Sequence, residues 1–330
     1  MTVTTMSKRA RLEATLAGEA VDRPAVALWR HWPVDDQRGQ DLARASLEFQ
    51  RAYDFDFMKV TPSSNYCVAD YGATTSWQGN QEGTRAWGPR IIQSPGDWTR
   101  LKPLDPRWGL QAEILQALQI IGRAVKEEVP FIITIFNPLS QAKNLAGLRL
   151  LSDLRQHPQA VKAGLAAITE SILRFIEAAQ PSGIAGIFLA LQHATYDLLT
   201  EAEYRALCEP FDRQILAAAE GLWFNVVHLH GQNVMFDLAA SYPAQVLNWH
   251  DQETPPALAE ALDRCEKALC GGLRQWETML RGTPETVRAE AQAAVEATRG
   301  RRFILGTGCV TPITAPTANI LAARKAVELG

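Results

Sequence analysis

Apolar and polar positions along the chain predict buried strands and amphipathic helices in alternation. Short apolar runs without charges are typical of strands covered on both faces, as in a parallel sheet. Eight such strands are predicted, at residues 25–29, 56–60, 130–136, 183–191, 224–229, 245–249, 267–273 and 302–306. Helical patterns lie between them, at residues 7–18, 41–52, 108–128, 150–156, 158–179, 201–220 with an interruption near Pro210, 234–241, 256–264, 283–298 and 317–329. This alternation predicts an α/β fold, a single (β/α)8 TIM barrel.

One segment departs from the alternation. Residues 61–106 are irregular and rich in Gly, Trp and Pro, and the stretch from Thr84 to Gln93 has the pattern of a hairpin. Long irregular segments in compact folds are usually functional. We therefore expect an inserted loop or hairpin that covers one end of the fold. No repeat, low-complexity tract or linker divides the sequence, so residues 1–330 are expected to form one domain.

Composition narrows the class of protein. The chain has 330 residues, of which 47% are hydrophobic and 21% charged, and a formal net charge of -3. These values are typical of a globular protein and give no general reason to expect a nucleic-acid partner. Five cysteines without framework spacing favour reduced thiols and a cytoplasmic location. No apolar run is long enough for a signal peptide or a membrane span, so no membrane partner is expected.

Polar residues gather where the predicted strands end. In (β/α)8 barrels the active site lies at the carboxyl ends of the strands. The residues at or just past these ends are Arg30, His31, Asn137, Gln192, His193, His228, His230, His250, Asp251, Arg274 and Cys309.

Two histidines at the end of one strand are candidate metal ligands. His228 and His230 are spaced i, i+2, which puts both side chains on the same side of a strand. Two convergent imidazoles can hold a metal ion; alternatively, one caps the strand and the other lines a polar pocket. Cys309 favours the metal, because it lies in a glycine-rich turn that also follows a short apolar strand.

Several motifs, taken in order, resemble the uroporphyrinogen decarboxylase superfamily over nearly the whole chain. They are Asp22-Arg-Pro, Phe131-Ile-Ile-Thr-Ile-Phe-Asn-Pro-Leu with Ala142, Leu199-Thr-Glu-Ala-Glu-Tyr with Pro210-Phe, Asn248-Trp249, Gly282-Thr-Pro-Glu-Thr-Val, and Gly306-Thr-Gly-Cys with Thr311-Pro. The resemblance implies a (β/α)8 barrel. It leaves the reaction open, because the superfamily contains a cofactor-free decarboxylase and zinc-dependent methyltransferases that work with corrinoid proteins.

The decarboxylase branch fits less well at the candidate site. That branch carries Arg-Gln-Ala-Gly-Arg after its first strand, whereas this chain reads Trp29-Arg30-His31-Trp32-Pro33-Val34 and lacks the second arginine. Gln192-His193 replaces a Phe-Asp-Ser-Trp-like segment, and Cys309 stands where a Gly-His-Gly pattern is usual. A substrate with many carboxylates would therefore lack bidentate guanidinium partners.

The methyltransferase branch resembles this chain more closely. Its members place His-x-Cys after the fifth strand and Cys after the eighth, and these three residues hold zinc. By position, His228 is the first ligand, His230 stands in place of the cysteine, and Cys309 is the third. Three protein ligands leave one tetrahedral position open, which indicates catalysis. We expect Asp251 or Asn137 to accept the free ring N–H of a ligand histidine.

Three hypotheses follow. The first is a zinc-dependent methyltransferase that moves a methyl group between a small donor or thiol and a corrinoid protein; the resemblance also implies a homodimer. The corrinoid is expected on a separate partner, because the sequence has no Asp-x-His-x-x-Gly signature. The second is a metal-free decarboxylase or lyase with Arg30 as carboxylate anchor. The third is a non-catalytic tetrapyrrole or corrinoid binder, for which Trp29, Trp32, Trp77 and Trp87 would supply a stacking surface.

For the enzymatic hypotheses, the candidate catalytic residues are Arg30, Asn137, His193 and Asp251.

Overall fold

The apolar runs form strands, as predicted, with shorter bounds at several ends. A computed structural model describes residues 5–328. Its strands are β1 (Ala25–Val26), β2 (Met58–Val60), β3 (Thr75–Ser76), β4 (Ala86–Trp87), β5 (Phe131–Phe136), β6 (Gly186–Leu191), β7 (Val226–Leu229), β8 (Val246–Trp249), β9 (Ala268–Leu273) and β10 (Phe303–Thr307). Eight of these strands form one sheet in the order β1-β10-β9-β8-β7-β6-β5-β2, and each pair in that order is parallel.

The sheet is strongly curled and TIM-barrel-like. Its two edge strands, β1 and β2, approach each other at Asp56, whose N–H donates to the Val26 carbonyl at 2.9 Å. The Val26 N–H in turn donates to Asp56 Oδ2 at 2.8 Å. Every residue of β5, β6 and β9 is buried. Helices cover the outer face and side chains fill the inner one, which explains the apolar runs.

Helices occupy the connections, largely where the sequence predicts them. They are α1 (Lys8–Ala17), α2 (Gly39–Tyr53), α3 (Pro95–Trp98), α4 (Gly109–Val125), α5 (Pro138–Ala146), α6 (Arg149–Gln156), α7 (Pro158–Ala179), α8 (Glu201–Leu207), α9 (Glu209–Ala218), α10 (Phe236–Ala240), α11 (Leu258–Arg264), α12 (Pro284–Thr298) and α13 (Thr317–Ala326). The predicted break near Pro210 is the α8–α9 junction. Residue 329, where the last helix was predicted to end, lies outside the described residues. Helices α3 and α5 were not predicted. Helix α5 begins at Pro138, and the side chain of its N-cap residue, Asn137, accepts the Ser140 N–H.

The hairpin lies earlier in the chain than predicted. It pairs Thr75 with Trp87 in antiparallel register, so the predicted span of 84–93 is wrong beyond residue 87. The physical reason is Pro89, which has no N–H to donate to a ladder. The following N–H groups, of Ile91 and Ile92, donate instead to the Leu145 carbonyl at 2.9 and 3.1 Å.

Charged residues close the amino end of the sheet. Arg11 lies 2.7 Å from Asp22 and 2.6 Å from Asp56, and Arg23 lies 2.7 Å from Asp56. The hydrogen bond from Arg11 lowers the pKa of Asp22 to about 2. Asp22-Arg23 thus serves to tie α1 to the start of β1 and β2. Among the described helices, none is both long and apolar enough to span a bilayer.

Candidate metal centre

Three strands bring four candidate ligands together at the carboxyl end of the sheet. His228 lies in β7 and His230 just beyond it, His250 follows β8, and Cys309 follows β10. One ligand atom from each residue lies within 4.8 Å of the corresponding atoms of the other three. The structure therefore brings together the three predicted ligands and adds His250.

The tautomer of His228 follows from its hydrogen bonds. Its Nδ1 lies 2.7 Å from Asn248 Oδ1, and Asn248 is its neighbour in the β7–β8 register. The Asn248 amide nitrogen donates to the carbonyls of Cys270 and Thr307 at 2.8 and 3.1 Å. Because both amide hydrogens are used, the Asn248 oxygen accepts and His228 Nδ1 carries the proton. The Nε2 atom of His228 is left with a free lone pair, as a metal ligand requires.

His230 and Cys309 lie side by side. The Cys309 Sγ is 3.6 Å from His230 Nδ1, and the ring centroid of His230 is 5.2 Å from that of His250. Burial lowers the pKa of both His228 and His230, and their mutual charge repulsion lowers that of His228 further. Both imidazoles are therefore held in the neutral form that binds metal ions.

His250 was placed at the rim by the sequence but was not predicted to be a ligand. Its Nε2 is buried without a hydrogen-bond partner, and its Nδ1 lies 3.6 Å from Glu253 Oε2. Gly308 allows the close approach of the Cys309 turn, since a Cβ at residue 308 would lie 2.7 Å from the Cα of His250. The signal was present in the sequence: His250 follows β8 directly, as His230 follows the neighbouring β7.

Asn137 and Asp251 do not hold the ligand histidines. Asn137 Nδ2 donates to Asp212 Oδ1 at 2.8 Å, so its side chain lies in a buried network rather than at the cluster. Both carboxylate oxygens of Asp251 lie 3.1 Å from the Gly272 N–H, and burial raises the pKa of Asp251 to about 6. The predicted contact is made by Asn248, because a residue inside the neighbouring strand faces His228 directly.

The guanidinium of Arg30 packs on two aromatic rings. It lies 4.3 Å from the ring centroid of Trp32 and 5.3 Å from that of Phe49 in α2, and it donates to the Ile313 carbonyl. Trp29 is buried against Phe188, with ring centroids 5.5 Å apart. Of the four tryptophans proposed as a stacking surface, only Trp29 is buried; Trp32, Trp77 and Trp87 are half-buried, and arginines lie over the rings of Trp32 and Trp87.

His193 is the predicted catalytic residue that lies beside the cluster. Burial lowers its pKa to about 3, and the nearby charges of Lys143 and His230 add to this effect. Its Nδ1 is buried and has no hydrogen-bond partner. His193 is therefore a neutral polar group available to a bound molecule.

Lys59 was missed by the sequence analysis. It lies in β2, and its Nζ is 4.3 Å from the ring centroid of Phe188 and 5.5 Å from that of Trp29. Burial lowers the pKa of Lys59 to about 7, although the charge of Cys309 acts in the opposite direction. The available signal was a single charge inside an otherwise apolar strand, Phe57-Met-Lys-Val60.

The connection between β3 and β4 reaches the carboxyl-end loops of the sheet. Gln81 accepts a hydrogen bond from the Ile313 N–H at 2.8 Å, and Glu82 Oε1 accepts one from Gln275 at 3.1 Å. Gly83 has φ +84°, and a Cβ there would lie 2.5 Å from the Cβ of His31. Only glycine allows this conformation and this contact together. The carboxylate of Glu82 also acts on the charge of His230.

Fold and sequence together define the family. A family model described as uroporphyrinogen decarboxylase (URO-D) matches residues 7–329, and the chain belongs to this family of enzymes. A methyltransferase from Methanosarcina mazei has a similar structure, with a TM-score of 0.83, 17% identity and 98% of each chain covered. A B12-independent methionine synthase from Shewanella sp. W3-18-1, solved in complex with selenomethionine, has a TM-score of 0.60 and 12% identity, covering 88% of this chain and 87% of that one. At these low identities, the TM-scores show a shared fold and no more. No curated protein sequence matches the chain.

Proposed function

We propose that the protein is a zinc-dependent methyltransferase that moves a methyl group between a small donor or thiol and a corrinoid carried by a separate protein. The observation that carries this proposal is the cluster of His228, His230, His250 and Cys309, whose ligand atoms lie within 4.8 Å of one another. The full-length structural similarity to the Methanosarcina mazei methyltransferase supports the same class of reaction.

The residues present fit zinc. Three imidazoles and one thiolate are donors that zinc prefers, and a tetrahedral site places neighbouring donors roughly 3.3 to 3.6 Å apart. The separation of 3.6 Å between Cys309 Sγ and His230 Nδ1 lies at that value. The buried Nε2 of His250 has no partner without a metal, which is costly for a polar atom.

The four donors differ in how firmly they are held. Asn248 fixes the ring of His228 at 2.7 Å, whereas the nearest acid to His250 is 3.6 Å away. We therefore assign His228, His230 and Cys309 as permanent ligands and His250 as the exchangeable one, which opens a position for substrate. Bound zinc would keep a thiol or water anionic near neutral pH.

Other residues shape the space around the cluster. The β3–β4 connection, through Gly83 and Glu82, helps to exclude bulk water from this end of the sheet. His193 offers a neutral ring nitrogen to the substrate.

The metal-free decarboxylase hypothesis receives less support. It requires Arg30 to hold a substrate carboxylate near the reacting centre. Trp32, Phe49 and the Ile313 carbonyl instead contact the Arg30 guanidinium, whose buried Nε has no hydrogen-bond partner among the described residues.

Metal analysis tests the proposal. The purified protein should contain about one zinc ion per chain, and His228→Ala should abolish binding because the best-oriented ligand is lost. His230→Cys should retain zinc, because thiolate is an equally suitable donor. His250→Ala should retain zinc with lower affinity, and His157→Ala, which changes an exposed histidine, is the matched control.

Two results would contradict the assignment. The first is native protein that neither contains nor takes up zinc. The second is zinc binding that survives His228→Ala and Cys309→Ser together. For zinc-loaded protein, transfer of a methyl group between free cobalamin and small thiols, followed by the cobalamin absorption spectrum, then tests the reaction itself.

A further inference from the structure

Lys59 is a cation inside the sheet without an acidic partner. Its one polar side-chain contact is with Thr61 Oγ1 at 3.3 Å, and no carboxylate within residues 5–328 forms an ion pair with it. Around it lie aromatic rings, with Phe188 at 4.3 Å and Trp29 at 5.5 Å from the ammonium. Lys59 is half-buried, and a cation–π contact offsets only part of the cost of partly withdrawing its ammonium from water.

The ammonium lies next to the candidate metal centre. Phe188, which Lys59 contacts on one side, also stacks on His228, with ring centroids 5.2 Å apart and an interplanar angle of 28°. The charge of Lys59 is close enough to act on both His228 and Cys309. A small molecule whose reacting atom lay at the cluster would therefore have Lys59 within the length of a few carbon atoms.

Polar atoms near Lys59 also lack partners. His31 Nδ1 and Ser63 Oγ are buried without hydrogen bonds, and the two residues are only 6% and 0% exposed. His31 follows β1, and Ser63 follows β2, the strand that contains Lys59, so both lie beyond the carboxyl ends of these neighbouring strands. Unpartnered buried polar atoms are rare in proteins, and a bound polar molecule is one explanation for them.

We infer that Lys59 binds a small anionic group of the substrate, such as a carboxylate, while the reacting atom of the same molecule lies at the four-residue cluster. The position of the reacting atom rests on the proposed function; the anionic group rests on the surroundings of Lys59. The lowered pKa of Lys59 agrees with a charge that has no partner in the free protein. An anion would supply that partner, and Lys59 would then have the anchoring role that the sequence analysis proposed for Arg30.

A pair of thiols that differ only in charge tests this inference. The protein is loaded with Co(II) in place of zinc, and thiol binding is followed by the thiolate-to-cobalt charge-transfer absorption. β-Mercaptopropionate should bind about tenfold to hundredfold more tightly than its neutral amide, as expected for a hydrogen bond between charged groups. Lys59→Met, which keeps the length and apolar volume of the side chain, should reduce this preference to about twofold or less. Lys59→Arg should keep part of it.

Lys143→Met is the matched control. Lys143 lies on α5, is also without an ion pair among the described residues, and acts on the charges of His193 and His230. If only the general positive potential mattered, both variants would lose the preference equally, and the inference would be wrong. A wild-type protein that binds both thiols equally would overturn it as well.

A protein that binds no metal allows a second test of the anion site. If the protein takes up neither zinc nor cobalt, propionate and propionamide replace the thiols, and the thermal unfolding midpoint replaces the spectrum. Propionate should then raise the midpoint of the wild-type protein more than propionamide does, and Lys59→Met should remove that difference. Equal shifts for the two compounds in the wild type would reject the anion site whether or not a metal binds.

Discussion

The two ends of the curled sheet are both rich in charged and polar side chains, but they use them in opposite ways. At the amino end, Arg11, Arg23, Asp22 and Asp56 bind one another, and Asp56 accepts three side-chain hydrogen bonds and one from the main chain. At the carboxyl end, and counting only residues 5–328, Lys59 has no acidic partner and the Nε2 of His250 has no hydrogen bond. Polar groups that satisfy one another stabilise the fold; those left unsatisfied are available to a ligand.

A large cleft does not by itself mark the candidate site. A cleft of 1190 Å³ lies at the amino end, and Arg11, Asp22 and Arg23 are among its lining residues. These three side chains are already paired within the protein. The candidate metal centre is marked instead by convergent donors and by the lowered pKa values of His228 and His230.

The largest expected effect is on stability and comes from the amino end. Asp56 is fully buried and paired with two arginines, so Asp56→Asn removes the carboxylate that pairs with Arg23 and leaves Arg11 with Asp22 alone. We expect a loss of about 3 to 5 kcal/mol in the free energy of unfolding. Asp54→Asn is the matched control, because Asp54 is 63% exposed and its ion pairs with Lys8 and Arg324 should contribute less than about 1 kcal/mol. Urea unfolding measures both, and equal losses would contradict the contrast between the two positions.

The sequence was a good guide to the elements and to part of the site. Strand positions followed from apolar runs, and His228, His230 and Cys309 were placed at strand ends by that pattern together with a family resemblance. These three residues lie together because the ends of parallel strands meet at one edge of the sheet. The two-residue period of side chains along a strand places His228 and His230 on the same side of β7.

What the sequence missed depends on the direction of individual side chains. Arg30 was expected to hold a substrate carboxylate at the mouth, but its guanidinium packs on Trp32 and Phe49. Asn248 took the role expected of Asp251 or Asn137, because only the β7–β8 register shows which residue faces His228. Lys59 could be noticed in the sequence, but the absence of a partner is a property of the folded chain.

The second prediction concerns the residue that orients His228. Asn248→Ala removes the acceptor 2.7 Å from His228 Nδ1, so the ring loses its fixed tautomer. We expect zinc affinity to fall about tenfold to hundredfold, which is the usual cost of losing such a contact. Competition with a chromogenic chelator measures the change.

Asn248→Asp is the matched control for this prediction. A carboxylate still accepts from His228 Nδ1–H, so zinc affinity should be retained, although stability should fall because the two donors to Cys270 and Thr307 are lost. If alanine and aspartate weaken zinc binding equally, the contact does not act through the tautomer of His228.

The smallest expected effect concerns an unsatisfied histidine near Lys59 and appears only as a pH dependence. Burial lowers the pKa of His31 to about 3, and the charge of Lys59 lowers it further, whereas an unfolded histidine titrates near pH 6.5. As the pH falls below about 6.5, the unfolded chain therefore takes up a proton that the folded protein does not, and stability is lost. Between pH 7 and pH 5, His31 alone should lower the free energy of unfolding by about 2 kcal/mol.

The variant His31→Gln tests this expectation. In metal-free protein, it should make the fall in unfolding free energy between pH 7 and pH 5 smaller by that amount, while His157→Gln should behave as the wild type does. If His31→Gln leaves this fall unchanged, His31 is protonated in the folded state. His31 would then not be an unsatisfied neutral group, and the contrast between the two ends of the sheet would be weaker.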